Sequence, residues 1–94
     1  MSENSGGIIG VKIKIMPTSP DVSLEEIKAK AMKIVEQGNG FNREYEFEPI
    51  AFVLKSIIAF FQWPEEKPLE ELEEKFRNIE NVNSISIIDM RKIA

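Results

Sequence analysis

Of the side chains that most often carry chemistry, this sequence offers carboxylates, lysines and arginines but no histidine and no cysteine. The commonest general base and metal ligand is therefore missing, along with thiolate nucleophiles, disulfides and sulfur-ligated metals. Sixteen acidic and twelve basic residues remain. Paired carboxylates could do acid-base work, yet most of the acids lie in helix-patterned runs such as EEKPLEELEEK (65–75), where a solvated surface is the ordinary role. A phosphate cradle needs a glycine-rich turn that opens a helix, whereas GGIIG (6–10) leads into a strand pattern. Neither an enzyme nor a bound metal or cofactor is expected.

Charge narrows the partners. A net charge of -4 opposes broad nucleic-acid binding, which needs cations to displace the counterions condensed along phosphates, and it is unlike that of a binder of anionic membranes. The most apolar stretch, EFEPIAFVLKSIIAFF (46–61), is too short to span a bilayer from Pro49 to Phe61, since a helix needs ~20 apolar residues, and Lys55 interrupts it. The first residues, MSENSGG, lack a basic region followed by a long apolar run, so a cytoplasmic location is expected.

The elements that must position any site follow from periodicity. A chain of 94 residues suits one domain, placed at residues 8–94 after a flexible segment at 1–7. IIGVKIKIM (8–16) puts Ile9, Val11, Ile13 and Ile15 on one side of a strand, and Gly10, Lys12, Lys14 and Met16 on the other. Ser23 followed by Glu26 forms a capping-box pattern, after which Leu24, Ile27, Ala31, Ile34 and Val35 recur at helical spacing until GNG (38–40). From Phe41 the period is two: Phe41, Arg43, Tyr45 and Phe47 face one way and Asn42, Glu44, Glu46 and Glu48 the other. Pro49 marks a strand end or turn, and a third strand is predicted to run from there to Trp63. Leu69, Leu72, Phe76 and Ile79 give a second helix over about 68–79, and SISIIDM (84–90) a last strand. The order βαββαβ predicts an α+β, ferredoxin-like sandwich: a four-stranded antiparallel sheet with both helices on one face.

That architecture leaves one sheet face open. In SIIAFFQW (56–63) both alternating sets are apolar, so whichever set is core, the other presents large hydrophobes. Two readings stay open: tolerated apolar residues or self-association, and a face for a partner.

Three ordered segments, VKIKIMPTSPDVSLEEIK (11–28), EPIAFVLK (48–55) and the ending VNSISIIDMRKIA (82–94), resemble the archaeal elongation factor 1-beta family, and more distantly the C-terminal domain of its eukaryotic counterpart. The resemblance covers nearly the whole chain after residue 8. It implies a guanine nucleotide exchange factor of translation elongation that binds elongation factor 1-alpha in its GDP-bound and nucleotide-free states; a monomer without direct nucleic-acid contact is expected beside it. In the eukaryotic relatives a lysine near the C-terminus is inserted toward the magnesium site of the GTPase, which aligns here with Lys92, beside Arg91; otherwise these two are a frayed, solvated end. Phe52 and Lys55 of PIAFVLK are the second candidates for contact; core packing for Phe52 and plain strand surface for Lys55 are the alternatives. The likeness also sets Ile57, Ala59 and Phe61 inward, leaving Ile58 and Phe60 for the partner. Glu44, Glu46 and Glu48 would steer toward a basic surface, or guard a strand edge. Two departures stand out: Val53 replaces the family's usual glycine, and WPEEKP (63–68) replaces a glycine-rich loop. Other occupants of this fold are an RNA-recognition module, whose signature and basic surface are absent, and a small-molecule regulatory domain.

Overall fold

A computed structural model describes residues 7–94. The flexible segment expected at 1–7 therefore lies outside the described residues except for Gly7. In chain order the elements are β1 (Ile8–Pro17), α1 (Leu24–Gln37), β2 (Phe41–Pro49), β3 (Lys55–Pro64), α2 (Leu69–Arg77) and β4 (Val82–Lys92). The strands form one sheet in the order β2-β3-β1-β4, each pair antiparallel. This is the ferredoxin-like arrangement.

Strand alternation and helical spacing meet in a single core. Val11, Ile13 and Ile15 of β1 and Ile57, Ala59 and Phe61 of β3 are fully buried against Ile27, Ala31 and Val35 of α1 and Leu72 and Phe76 of α2. Burying such side chains contributes about 1.5–3 kcal/mol each relative to leaving them in water. The start of α1 is fixed by the expected cap: Ser23 Oγ accepts the Glu26 N–H at 3.2 Å. Its end falls at GNG, as expected. The left-handed residue is Asn39, with φ 67°, while the glycines serve space. A Cβ on Gly40 would come within 2.7 Å of Val35 Cγ1 and 2.9 Å of the Gln62 carbonyl oxygen. Gly40→Ala is accordingly expected to destabilise the domain by about 1–3 kcal/mol in urea titrations, through overpacking.

Three expectations need correction. First, the strict alternation of β2 fails at Arg43, where the register slips: Asn42 stands opposite Phe61, but Glu44 is opposite Phe60. The bulge turns Phe41 to the open face and Asn42 to the helices. There the Asn42 amide donates to the Met32 carbonyl at 3.1 Å, and the Tyr45 hydroxyl donates to Asn42 Oδ1 at 2.6 Å. Burial first, and the Glu36 carboxylate second, push the Tyr45 phenol well above its usual pKa, so it stays a neutral donor. Second, residues 50–54 are a loop, not the start of β3, closed by Ile50 and Ala51 N–H groups donating to the Leu54 carbonyl at 2.9 and 3.3 Å. Third, the end of the chain is not frayed. Ile8 and Ala94 exchange backbone hydrogen bonds of 2.8 and 3.2 Å, and the Ile93 N–H donates to the Ile8 carbonyl at 2.7 Å.

Candidate functional site

Sheet topology separates the predicted contact residues into two ends and a face. Because β1 runs antiparallel to both β3 and β4, the 50–54 loop sits beside the end of β1 and the start of β4, whereas Lys92 lies at the opposite edge, level with Ile9 and Trp63. The run of β3 from Trp63 to Lys55 sets these ends about 26 Å apart at ~3.3 Å per residue. Phe52 and Lys92 are thus not brought together.

At the loop end, Phe52 is fully exposed, with Val53 62% and Ile50 39% exposed beside it. Core packing for Phe52 is thereby excluded. An aromatic ring in full contact with water on a short closed loop is an unusual thing to leave on a surface, because hiding it would stabilise the fold. Val53 does not have a positive φ, so the departure from glycine there is met by ordinary backbone. Lys55 opens β3, and with Val53 it edges a shallow cleft whose other wall is Pro17, Ser19, Pro20 and Val22. The segment 17–23 is tied into the same end by the Thr18 N–H, which donates to the Asn81 carbonyl at 2.9 Å.

Across the open face, Ile58 and Phe60 point outward as expected, but both are half-buried. Their neighbours explain this. Ile58 stands between Lys14 and Glu46, and Phe60 between Lys12 and Glu44. The Lys12 ammonium lies 5.5 Å from the centre of the Phe60 ring, its aliphatic stem covering apolar surface. Phe60 is the shared wall of two clefts, one toward Glu44 and Glu46 and one toward Asp89, Arg91 and Ile93. Phe41 and Ile93, which sequence reasoning did not place on this face, extend it; the bulge at Arg43 hid the first, and the continuation of pairing past Lys92 hid the second. Glu44, Glu46 and Glu48 form an acidic row along the outer strand, Glu48 meeting Lys14 at 3.7 Å.

At the far end, Arg91 and Lys92 diverge. Arg91 stands opposite Gly10 on the open face, its Nε 3.1 Å from the Asp89 carboxylate. Lys92 stands opposite Ile9 on the helix side, 66% exposed, with its Nζ 3.4 Å from Glu65 Oε1. Sequence reasoning missed Glu65, because only strand register brings it near Lys92. Among the described residues no group of three or more acidic side chains is arranged to hold a metal ion, and no helix is long and apolar enough to cross a membrane.

Comparison with known proteins places this geometry in a family. The chain is similar, at 35% identity in each case, to proteins named elongation factor 1-beta from Methanococcus aeolicus, Methanosarcina barkeri and Pyrococcus horikoshii. These matches cover 89%, 93% and 92% of this chain and 96%, 99% and 94% of the relatives. In fold it resembles the C-terminal domain of the MgtC protein from Mycobacterium tuberculosis, with a TM-score of 0.62 over 99% of this chain and 94% of the other, at 12% identity. The family model described as the EF-1 guanine nucleotide exchange domain matches residues 10–93, so that both ends of the sheet and the open face lie within it: the chain belongs to the EF-1 guanine nucleotide exchange domain family.

Proposed function

We propose that this protein promotes release of GDP from elongation factor 1-alpha during translation elongation, with Lys92 acting on the nucleotide site and Phe52 on docking. The observation that carries the reading is the family match across residues 10–93 together with an exposed lysine at one end of the sheet. No bond is made or broken. The driving force is linkage: a domain that binds the empty GTPase better than the filled one weakens nucleotide binding by the same factor by which nucleotide weakens its own. Each tenfold of weakening requires about 1.4 kcal/mol of differential contact.

In a phosphate-loop GTPase the diphosphate is neutralised by magnesium and a lysine, so a competing cation brought to that site removes affinity directly. An ammonium suits this role because it is a compact point charge on a flexible four-carbon stem. The test is stopped-flow release of a fluorescent GDP from elongation factor 1-alpha with the protein in excess. Release at the spontaneous rate would refute the reading.

The separation of the two ends gives a more detailed expectation. Phe52 presents a complete aromatic surface for a partner's pocket, and such anchors contribute about 1–2 kcal/mol or more when buried at an interface. Phe52→Ala should raise the concentration needed for half-maximal exchange by about 5- to 30-fold. The rate at saturation should be unchanged, because the ring is far from the cation that acts on the nucleotide. A lower plateau rate with unchanged half-saturation would contradict this division of labour.

A further inference from the structure

We infer that Glu65 restrains Lys92 in the free domain, so that parting of this ion pair precedes any action of the lysine on a partner; the inference rests on the exchange reading above. Glu65 belongs to the loop after β3, whereas Lys92 belongs to β4, and β1 lies between those strands. Lys92 stands opposite Ile9, which in turn stands opposite Trp63. Strands two apart in a sheet are separated by about 10 Å. For the Lys92 ammonium to reach 3.4 Å from Glu65 Oε1, its stem must be folded sideways over the end of β1, not extended beyond the sheet.

The acceptor is held in place independently of the lysine. The same Glu65 oxygen accepts the Gly7 N–H at 3.1 Å, and the Glu65 N–H donates to the Gly7 carbonyl at 2.9 Å. The carboxylate is thus a fixed anchor and the lysine the movable partner. With side-chain exposures of 66% for Lys92 and 40% for Glu65, the pair is solvated and its attraction modest. It is a restraint on Lys92, not a lock. While the ammonium is committed to a carboxylate of its own chain, it cannot compensate negative charge on a nucleotide. Glu65 is therefore a positioning residue that slows exchange by lowering the population of extended Lys92.

The test uses the full chain. Glu65→Gln removes the charge but keeps an oxygen for the Gly7 N–H. In proton-carbon spectra of the free protein, the ε-methylene signals of Lys92 should move in this variant; unmoved signals would overturn the pairing. With the protein in excess over GDP-loaded elongation factor 1-alpha, Glu65→Gln should speed GDP release by about two- to fivefold. The gain should shrink as added salt screens the wild-type pair, and it should vanish when Lys92 is alanine. Unchanged or slower release, or an equal gain without Lys92, would overturn the restraint. A wild-type protein that leaves GDP release at its spontaneous rate would overturn the exchange reading and this inference with it, while the spectra would still report the ion pair.

Discussion

Replacing Lys92 with alanine is expected to slow stimulated GDP release by about 10- to 100-fold, the loss of a charge-assisted contact of about 1.5–3 kcal/mol. Stability should be untouched. The backbone of β4 is held by its pairing with β1 from Lys92 to Val82, and by the hydrogen bonds that join Ile93 and Ala94 to Ile8, none of which uses the Lys92 side chain. Its one described ion pair is solvated, a class of interaction that contributes little to folding. A loss of exchange at constant melting temperature would therefore report function and not unfolding. Lys92→Arg is a useful companion, since it keeps the charge but broadens it into a planar fork, and an intermediate rate is expected. If saturating Lys92→Ala released fluorescent GDP as fast as the wild type, the cation would have no part in exchange.

The largest effect on stability is expected from Phe61→Ala, at about 3–5 kcal/mol in urea or thermal unfolding. Phe61 is fully buried at the centre of β3, with Val11 opposite it on one side and Asn42 on the other. Its ring centre lies 6.0 Å from that of Phe76 and 6.2 Å from that of Trp63, both edge-on, so truncation removes two favourable aromatic contacts and leaves a cavity between sheet and α2. A domain with total stability of about 5–15 kcal/mol would lose a large share of it. A change below about 1 kcal/mol would mean that the core is not built around this ring.

Element order was legible in the sequence because it rests on local, repeated signals, whereas the inward set of β3, where both alternating sets are apolar, was indicated only by the family resemblance. The spacing of Leu24, Ile27, Ala31 and Val35, with Ser23 as cap, set the start of α1 and put its end near Gln37, where it lies. Alternation identified Val11, Ile13 and Ile15 as core, and they are. What escaped depends on contacts between distant segments. The bulge at Arg43 leaves no mark in a sequence of alternating polar and apolar residues, so Phe41 was assigned to the wrong face. IAFVL (50–54) reads as strand by composition, yet it folds as a loop whose hydrogen bonds close on Leu54. The same error left core packing open as an alternative for Phe52, which is fully exposed. The neighbourhood of Lys92 was invisible for a different reason: Glu65 reaches it only through the register of three strands, and no spacing along the chain encodes that. Asn39 and Asn81 both occupy the left-handed region, the first within the break GNG and the second just before β4, which begins at Val82, two residues ahead of the expected SISIIDM.

The position of β1 between β3 and β4 has a kinetic consequence. The two neighbours of Ile9 across the sheet are Trp63, 54 residues further along, and Lys92, 83 residues further along. Closing loops of that length loses entropy before any pairing rewards it, and topologies dominated by distant contacts fold in milliseconds or more slowly. The β2–β3 hairpin, with its short loop, can form early; β1, carrying Val11, Ile13 and Ile15, must wait unpaired. A nascent chain interrupted before β4 would therefore leave one edge of β1 unpaired, a ready template for pairing with another chain.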